Sequence, residues 1–376
     1  MPAYKKPLTK VLMIFSNSYD GAYPRDLAHG FYDAGVEIGF ISLSKAVVPP
    51  WINNHHAKDF SFQFGADISM ARKVFRTVAT IRKFKPDVIQ SHLFQGGIVG
   101  LIAGKLMKVP VVHTRHHIDE HYQSGTYMHR WIDRVVAKRS DHVVVCSIAA
   151  KKWLIEIEGV KEEHVSVINQ CFDFSFLSPT PEAISKAKLD LNFVPERLNI
   201  VCVSRYSKAK GQNYLILAIK ELVQTIPNIS LTLMGPGDST WLVELVKELE
   251  LEQFINILPA RSDVPACIAA ADMIIHPSLA DSFSQLVIEA QGVGGLLIAS
   301  EIAAAREQII DGVTGLIVPP RDSSAIAKAV RYLVNNPDLA ISMRRNGPLH
   351  VREKFTWQRM VDEEIECLKR YIAYET

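Results

Sequence analysis

Two carboxylates, Asp281 and Glu289, stand eight residues apart across a change of sequence pattern. Residues 273–275 form a short apolar run that breaks at His276-Pro277-Ser278. The polar turn Asp281-Ser282-Phe283-Ser284 then feeds an amphipathic helical pattern that contains Glu289 and Ala290. This predicts a strand-to-helix junction bracketed by acids. The first amides of a helix lack intrahelical partners and carry partial positive charge, so Ser282, Phe283 and Ser284 are suited to hold an anion such as a diphosphate. The flanking acids can accept hydrogen bonds from hydroxyls.

Other strand ends offer complementary groups. An apolar run at 200–204 ends in Ser204-Arg205, and Lys210-Gly211-Gln212 precedes the next helical stretch. Two cations on one strand-to-helix loop, with a glycine permitting close backbone approach, make a diphosphate clamp. Gly235 lies in the turn Met234-Gly235-Pro236-Gly237, a weak signal alone because tight turns use these residues anyway. Arg261 and Val264 lie in a loop after the following strand. In the first half the strand ends are Phe15 through Gly21, Ser91-His92-Leu93-Phe94-Gln95, and His113-Thr114-Arg115-His116-His117. His92 reads equally as a structural histidine or as an acceptor contact. His113, His116, His117 and His121 raise the question of a metal. The nearest acids are Asp119 and Glu120, and zinc-ligand spacing is absent, so no metal is expected.

Asp281 and Glu289 have the spacing of the paired-glutamate motif of the retaining GT-B glycosyltransferases of family 4, the glycosyl transferases of group 1, which this chain resembles. Asp281 replaces that motif's first glutamate, Ser282 and Ser284 replace two glycines, and Ala303-Ala304 stands where Gly-Gly is usual. Ser204 replaces a glycine ahead of the matching Arg205, Lys210 and Gly211, and of the Gly-Gly pair usual after the first strand only Gly21 remains. The resemblance implies a nucleotide-diphosphate sugar as donor (UDP-, GDP- or ADP-sugar), transfer with retention, and an acceptor hydroxyl on a glycan or lipid-linked glycan of a bacterial surface polysaccharide. It implies that Arg205 and Lys210 hold phosphates, Glu289 the ribose and Asp281 the sugar. Gly21, Gly235, Arg261, Val264 and residues 282–284 would also contact the donor. His116, in Thr114-x-His116, would lie by the transferring carbon, with His117 as the alternative register; His92, Gln95 and His117 would face the acceptor. The chain has no Asp-x-Asp, so charge on a departing diphosphate falls to protein groups, and no cofactor is expected. The rival readings are a sugar-nucleotide epimerase of related fold and a silent nucleotide-sugar binder.

These groups need a scaffold. Both halves alternate short apolar runs with helical patterns, as α/β doubly wound parallel sheets do. Strands are read at 11–16, 38–43, 88–91, 111–113, 143–146 and 165–168, then at 200–204, 230–234, 255–258, 273–275, 296–299 and 316–318. The expected layout is GT-B: a Rossmann-like acceptor domain (1–180) and a Rossmann-like donor domain (181–356) facing a cleft, a proline-containing linker from 178 to 195, and a last helix (357–376) crossing back to the first domain.

With 376 residues, 48% hydrophobic and 22% charged, the chain is an ordinary globular protein of two-domain size. Its five scattered cysteines read as reduced core residues, and no signal-like or membrane-spanning apolar segment is seen, so a cytoplasmic setting is expected. The formal net charge is only +2, and no aromatic-basic platform appears, which argues against nucleic acid. Eleven of the 13 histidines precede residue 181. A helix at 68–85 sets Met70, Val74, Phe75, Val78 and Ile81 in one stripe and Arg72, Lys73, Arg76, Arg82, Lys83 and Lys85 in another. That pattern suggests peripheral docking on an anionic inner leaflet.

Overall fold

The structure, a computed structural model, describes residues 7–16, 22–44, 61–63, 68–118, 126–171 and 174–372. The chain divides into two compact units, residues 1–172 with 357–376, and residues 173–356.

The first unit is built on a parallel sheet of seven strands: β1 (Lys10–Phe15), β2 (Glu37–Ser42), β3 (Ser61–Gln63), β4 (Val88–His92), β5 (Val111–Arg115), β6 (His142–Val145) and β7 (Val165–Val167), in the order β3-β2-β1-β4-β5-β6-β7. The second carries six: β8 (Leu198–Val203), β9 (Ile229–Met234), β10 (Ile255–Leu258), β11 (Met273–His276), β12 (Leu297–Ser300) and β13 (Leu316–Val318), in the order β10-β9-β8-β11-β12-β13. Helices cover both faces of a parallel sheet, so its central strands are buried all round and read as unbroken apolar runs. β1 and β9 fit that rule: every residue from Val11 to Phe15 and from Ile229 to Met234 is buried. In each sheet the strand order reverses once, between β1 and β4 and between β8 and β11. Ligands of such sheets sit beyond the carboxyl ends of strands at that reversal. Among the candidate residues, Arg205 and Lys210 follow β8, Asp281 follows β11, and His92 ends β4.

All twelve expected strands are present within a residue or two, and β3 is added. It is a three-residue edge strand paired only with β2, too short to leave a pattern. The expected linker is instead a helix, Pro181–Asp190. Thr180 Oγ1 accepts from the Ala183 amide (3.2 Å), Pro181 occupies the first turn, and Ala187 and Leu191 are buried in the second unit's core. The boundary lies at 172/173 rather than 180/181: Phe174 and Leu177 already pack beside Gly292 of the second unit.

The expected apolar stripe on residues 68–85 holds in part: Val74, Val78 and Ile81 pack on the first unit's core. The helix Met70–Phe84 buries Lys73, Thr77, Thr80, Ile81 and Phe84, while Phe75 is 74% exposed and Met70 37% exposed. Thr77 and Thr80 bond back to the carbonyls of Lys73 and Arg76, which lets polar residues occupy the inward face. The last helix, Trp357–Lys369, belongs to the first unit and packs on the helix Ala22–Asp33. Among the described residues no helix is long and apolar enough to cross a membrane. All five cysteines are free and buried.

Candidate functional site

In the second unit the loop after β8 folds against the turn after β11. Gly211 has φ +66°, and a Cβ there would stand 2.0 Å from the Pro277 carbonyl oxygen. A Cβ on Gly235 would meet the Ser204 carbonyl oxygen at the same distance. Both glycines therefore serve backbone-on-backbone packing. It brings Lys210 Nζ to 2.8 Å from Asp281 Oδ2, each side chain about one-fifth exposed. His276 Nε2, at the end of β11, is 3.7 Å from the same oxygen and 3.1 Å from Ser284 Oγ. Burial pulls the Asp281 carboxyl upward, but the neighbouring His276 and Lys210 outweigh it and hold it below the usual range. Arg205 is exposed, with no side-chain partner among the described residues. The loop beneath it is set by Gln212 Nε2, which donates to Ser204 Oγ (2.8 Å) and to the Arg205 carbonyl (2.9 Å).

Glu289 lies half-buried on the helix Gln285–Gly292, and among the described residues no cation or donor meets its carboxyl. Burial pushes it up to about 7. The turn 282–284 is less available than expected. Gln308 Oε1 accepts from the Ser284 amide (3.1 Å) while its Nε2 donates to the Ser284 carbonyl (2.8 Å), and the Phe283 ring is buried edge-on against Phe355 (5.7 Å). Arg261 is clamped by Asp263 (2.7 Å) and Asp190 (3.0 Å), which raises its pKa and occupies it, and Val264 packs against the core.

In the first unit the ends of β4 and β5 bring two imidazoles together. His92 Nδ1 lies 3.1 Å from His116 Nε2, and Phe15 stacks on His92 at 4.1 Å. The step from β4 into its helix is strained, with Leu93 at φ 63°. Burial, then the charge of neighbouring histidines, holds His92 well below its ordinary value and His116 at about 3. Both rings are neutral at physiological pH, so His116 serves as a hydrogen-bonding group rather than an acid. With the Gln170 amide nitrogen against His116 Nδ1, the His116 proton sits on Nε2 and is donated to His92 Nδ1. The His92 proton is then on Nε2, which is buried and meets no partner among the described residues.

His117 and Gln95 are committed elsewhere. His117 Nε2 bonds Asp133 Oδ2 (3.0 Å), an acid that also pairs with buried Arg115 (2.9 Å). Gln95 Oε1 accepts from buried Lys73 (3.0 Å). Gly21 and His121 lie outside the described residues. Among the described residues no group of three histidines, cysteines or acids could hold a metal ion. Sequence reading missed His276, Gln308, Tyr23 and Glu364. Only His276 had a signal, a polar residue ending an apolar strand beside the Asp281 turn.

Residues 185–350 match the family model described as glycosyl transferases group 1, and residues 21–176 that of glycosyltransferase family 4. The chain belongs to this family. Among relatives, it is 26% identical to a D-inositol 3-phosphate glycosyltransferase of Corynebacterium kroppenstedtii, over 74% of this chain and 66% of that protein. A protein of the same name from Pseudarthrobacter chlorophenolicus is 25% identical, over 90% of this chain and 86% of the relative. A Mycobacterium tuberculosis glycogen synthase is 26% identical, over 79% and 74%. Among solved structures, Anabaena HepE in complex with UDP-glucose superposes with a TM-score of 0.85 at 23% identity, over 96% of this chain and 99% of that one. Sucrose-phosphate synthase from Thermosynechococcus elongatus gives 0.80 at 19%, over 96% and 98%. The fold of this glycosyltransferase is GT-B, each unit being one Rossmann-like half.

Proposed function

We propose that this glycosyltransferase moves a sugar from a nucleoside-diphosphate donor to an acceptor hydroxyl with retention at the anomeric carbon and without a metal ion. The observation that carries this is the cation pair at the strand reversal of the second sheet. Arg205 is exposed and unpartnered among the described residues, and Lys210 is held by Asp281 where a phosphate would compete for it. One cation held by an acid and a second exposed on the same loop, both able to meet developing negative charge, can do the work otherwise given to a metal. Glu289, half-buried and unmet, supports a hydroxyl-bearing ribose as its partner. His116, neutral and oriented by Gln170, supports a sugar-facing hydrogen bond. The complexes of HepE with UDP and UDP-glucose favour uridine as the base. Arg205→Ala or Lys210→Ala should each lower turnover by about 10²–10³-fold, the loss typical of a charge-stabilising donor. Unchanged turnover in both variants refutes the clamp. Following the anomeric proton of the product by NMR tests retention, and product analysis with and without acceptor separates transfer from epimerisation and from silent binding.

For the acceptor, the favoured reading is a lipid-linked glycan at an anionic membrane surface. The helices Met70–Phe84, Leu93–Met107 and Tyr127–Arg139 pack side by side, aligned at their first turns by Lys73–Gln95 (3.0 Å) and Phe94–His129 (5.3 Å). Their one acid is the buried Asp133. Phe75, Tyr127, Met128 and Trp131 are 57–81% exposed, and Arg72 and Arg76 share the helix of Phe75. Amphipathic aromatics with cations suit a headgroup layer. Co-sedimentation with phosphatidylcholine vesicles with and without phosphatidylglycerol tests this. Arg72→Ala should weaken binding to the anionic vesicles by about fivefold, near 1 kcal/mol per cation. Equal binding to both vesicle types, or to neither, sinks the membrane reading.

A further inference from the structure

Glu364 is 1% exposed and is the one charged residue on the inward face of Trp357–Lys369. A buried carboxyl is tolerated when its oxygens find donors, and both of these do. Tyr23 Oη donates to Oε1 (3.1 Å), and Gln90 Nε2 donates to Oε2 (3.0 Å). The identity of those donors is informative. The Tyr23 ring stands edge-on to His116 (5.3 Å) and to His92 (6.1 Å). Gln90 lies two residues before His92 on β4, and its Nε2 also reaches Thr114 Oγ1 (3.3 Å), two residues before His116 on β5. A carboxyl serving only to anchor the helix could bond any polar group of the sheet face. This one bonds Tyr23, whose ring edge meets both imidazoles, and Gln90 on β4, which in turn reaches Thr114 on β5.

We propose that Glu364 is a positioning residue, reaching in from the C-terminal helix to fix Tyr23 and Gln90 and, through them, the His92–His116 pair. The inference rests on the reading of His116 as a sugar-facing group. It makes the last helix part of the site's construction rather than a cover over the first unit. Burial, eased by the two donors, leaves the carboxyl raised to about 7, so Glu364 is held where an ordinary glutamate would gain by leaving. The rings themselves make no bond to it, and its influence passes through the tyrosine edge and the strand positions.

The test combines imidazole ¹⁵N resonances with steady-state kinetics on the full-length protein. Glu364→Gln keeps the volume but replaces one acceptor oxygen by a donor, and Tyr23→Phe removes only the hydroxyl. Both should shift the His92 and His116 resonances and lower kcat by about 10–100-fold, the cost typical of misplacing a reacting group. The donor KM, set by the other unit, should stay within about twofold. Leu368→Ala, buried one turn further along the same helix, should lower Tm while leaving the resonances and kcat in place. Resonances unmoved in Glu364→Gln, or moved as much by Leu368→Ala, overturn the proposal. Should Glu364→Gln fail to fold, Tyr23→Phe decides by the same signals. Should the wild type turn over no sugar nucleotide, the functional reading fails while the resonances still settle the role of Glu364.

Discussion

Glu289 shows how one side chain's surroundings become a measurable dependence on pH. Its carboxyl is raised from 4.5 to about 7 by burial alone, with no cation near it among the described residues. An ionised carboxylate accepts hydrogen bonds from two hydroxyls, whereas its protonated form has given up part of that capacity. If it holds the ribose, donor affinity should therefore improve as pH rises through about 7. Glu289→Gln should bind donor more weakly and without that dependence. Calorimetric titration with UDP at pH 6 and pH 8 checks it, and a wild-type affinity independent of pH removes Glu289 from the donor site. The stability sign is the reverse. A raised folded-state pKa adds stability below about 4.5 that is lost as pH rises through 7, so the group that favours ligand at high pH strains the empty protein there. Arg205, Lys210 and Asp281 stood out because each lies between a strand and the next helix, and Glu289 because it lies on the helix that follows β11. The residue types at Arg261, His117, Gln95 and Phe283 misled for one reason. Sequence shows a side chain that could bind a ligand but not the carboxylate, lysine or ring that already engages it.

At the scale of elements, legibility followed burial. The central parallel strands each carry a buried apolar run, short in β4 and β5, and were read nearly to the residue, whereas β3, three residues at an edge, has no such run. The helix Pro181–Asp190 was hidden by its proline, although Thr180-Pro181-Glu182 is a cap signature in its own right. On Met70–Phe84 the reading failed at Met70 and Phe75, which are exposed, and at Lys73, which turns inward to Gln95, a pairing across two helices that periodicity does not encode. One of the two tightest approaches at a glycine is at Gly211, where the loop after β8 meets the turn after β11 at a left-handed φ. Gly211→Ala adds both a strained backbone and a Cβ 2.0 Å from the Pro277 oxygen, so it should destabilise by more than about 1 kcal/mol. Because the loop must shift away, Lys210 should leave Asp281 and donor affinity should fall further than the loss of Tm explains. Retention of both Tm and UDP affinity would show that this contact is not needed to set the clamp.

For the molecule as a whole, the uneven histidine distribution has an energetic consequence. His92, His113 and His142, buried in the first unit, and half-buried His116 are held neutral: His113 and His142 at about 4, His116 at about 3, and His92 well below its ordinary value, in each case chiefly by loss of solvent. A histidine whose folded-state pKa is depressed contributes stability that is whole above about 6.5 and is lost as pH falls toward the folded value. Glu364 in the same unit acts in the opposite direction between about 4.5 and 7, but it is one group against four. The second unit has no such set; it holds two histidines, His276 and His350, of which His350 is lowered chiefly by burial. Lowering pH from 7.5 to 5 should therefore loosen residues 7–172 and 357–372 before residues 174–356. Hydrogen exchange by mass spectrometry, corrected for the intrinsic pH dependence of exchange, reads this directly. Protection should fall first along β4, β5 and the C-terminal helix, where the imidazole pair and Glu364 share one buried network. Simultaneous loss in both units, or earlier loss in the second, would mean that the buried histidines do not govern the acid limit of the fold.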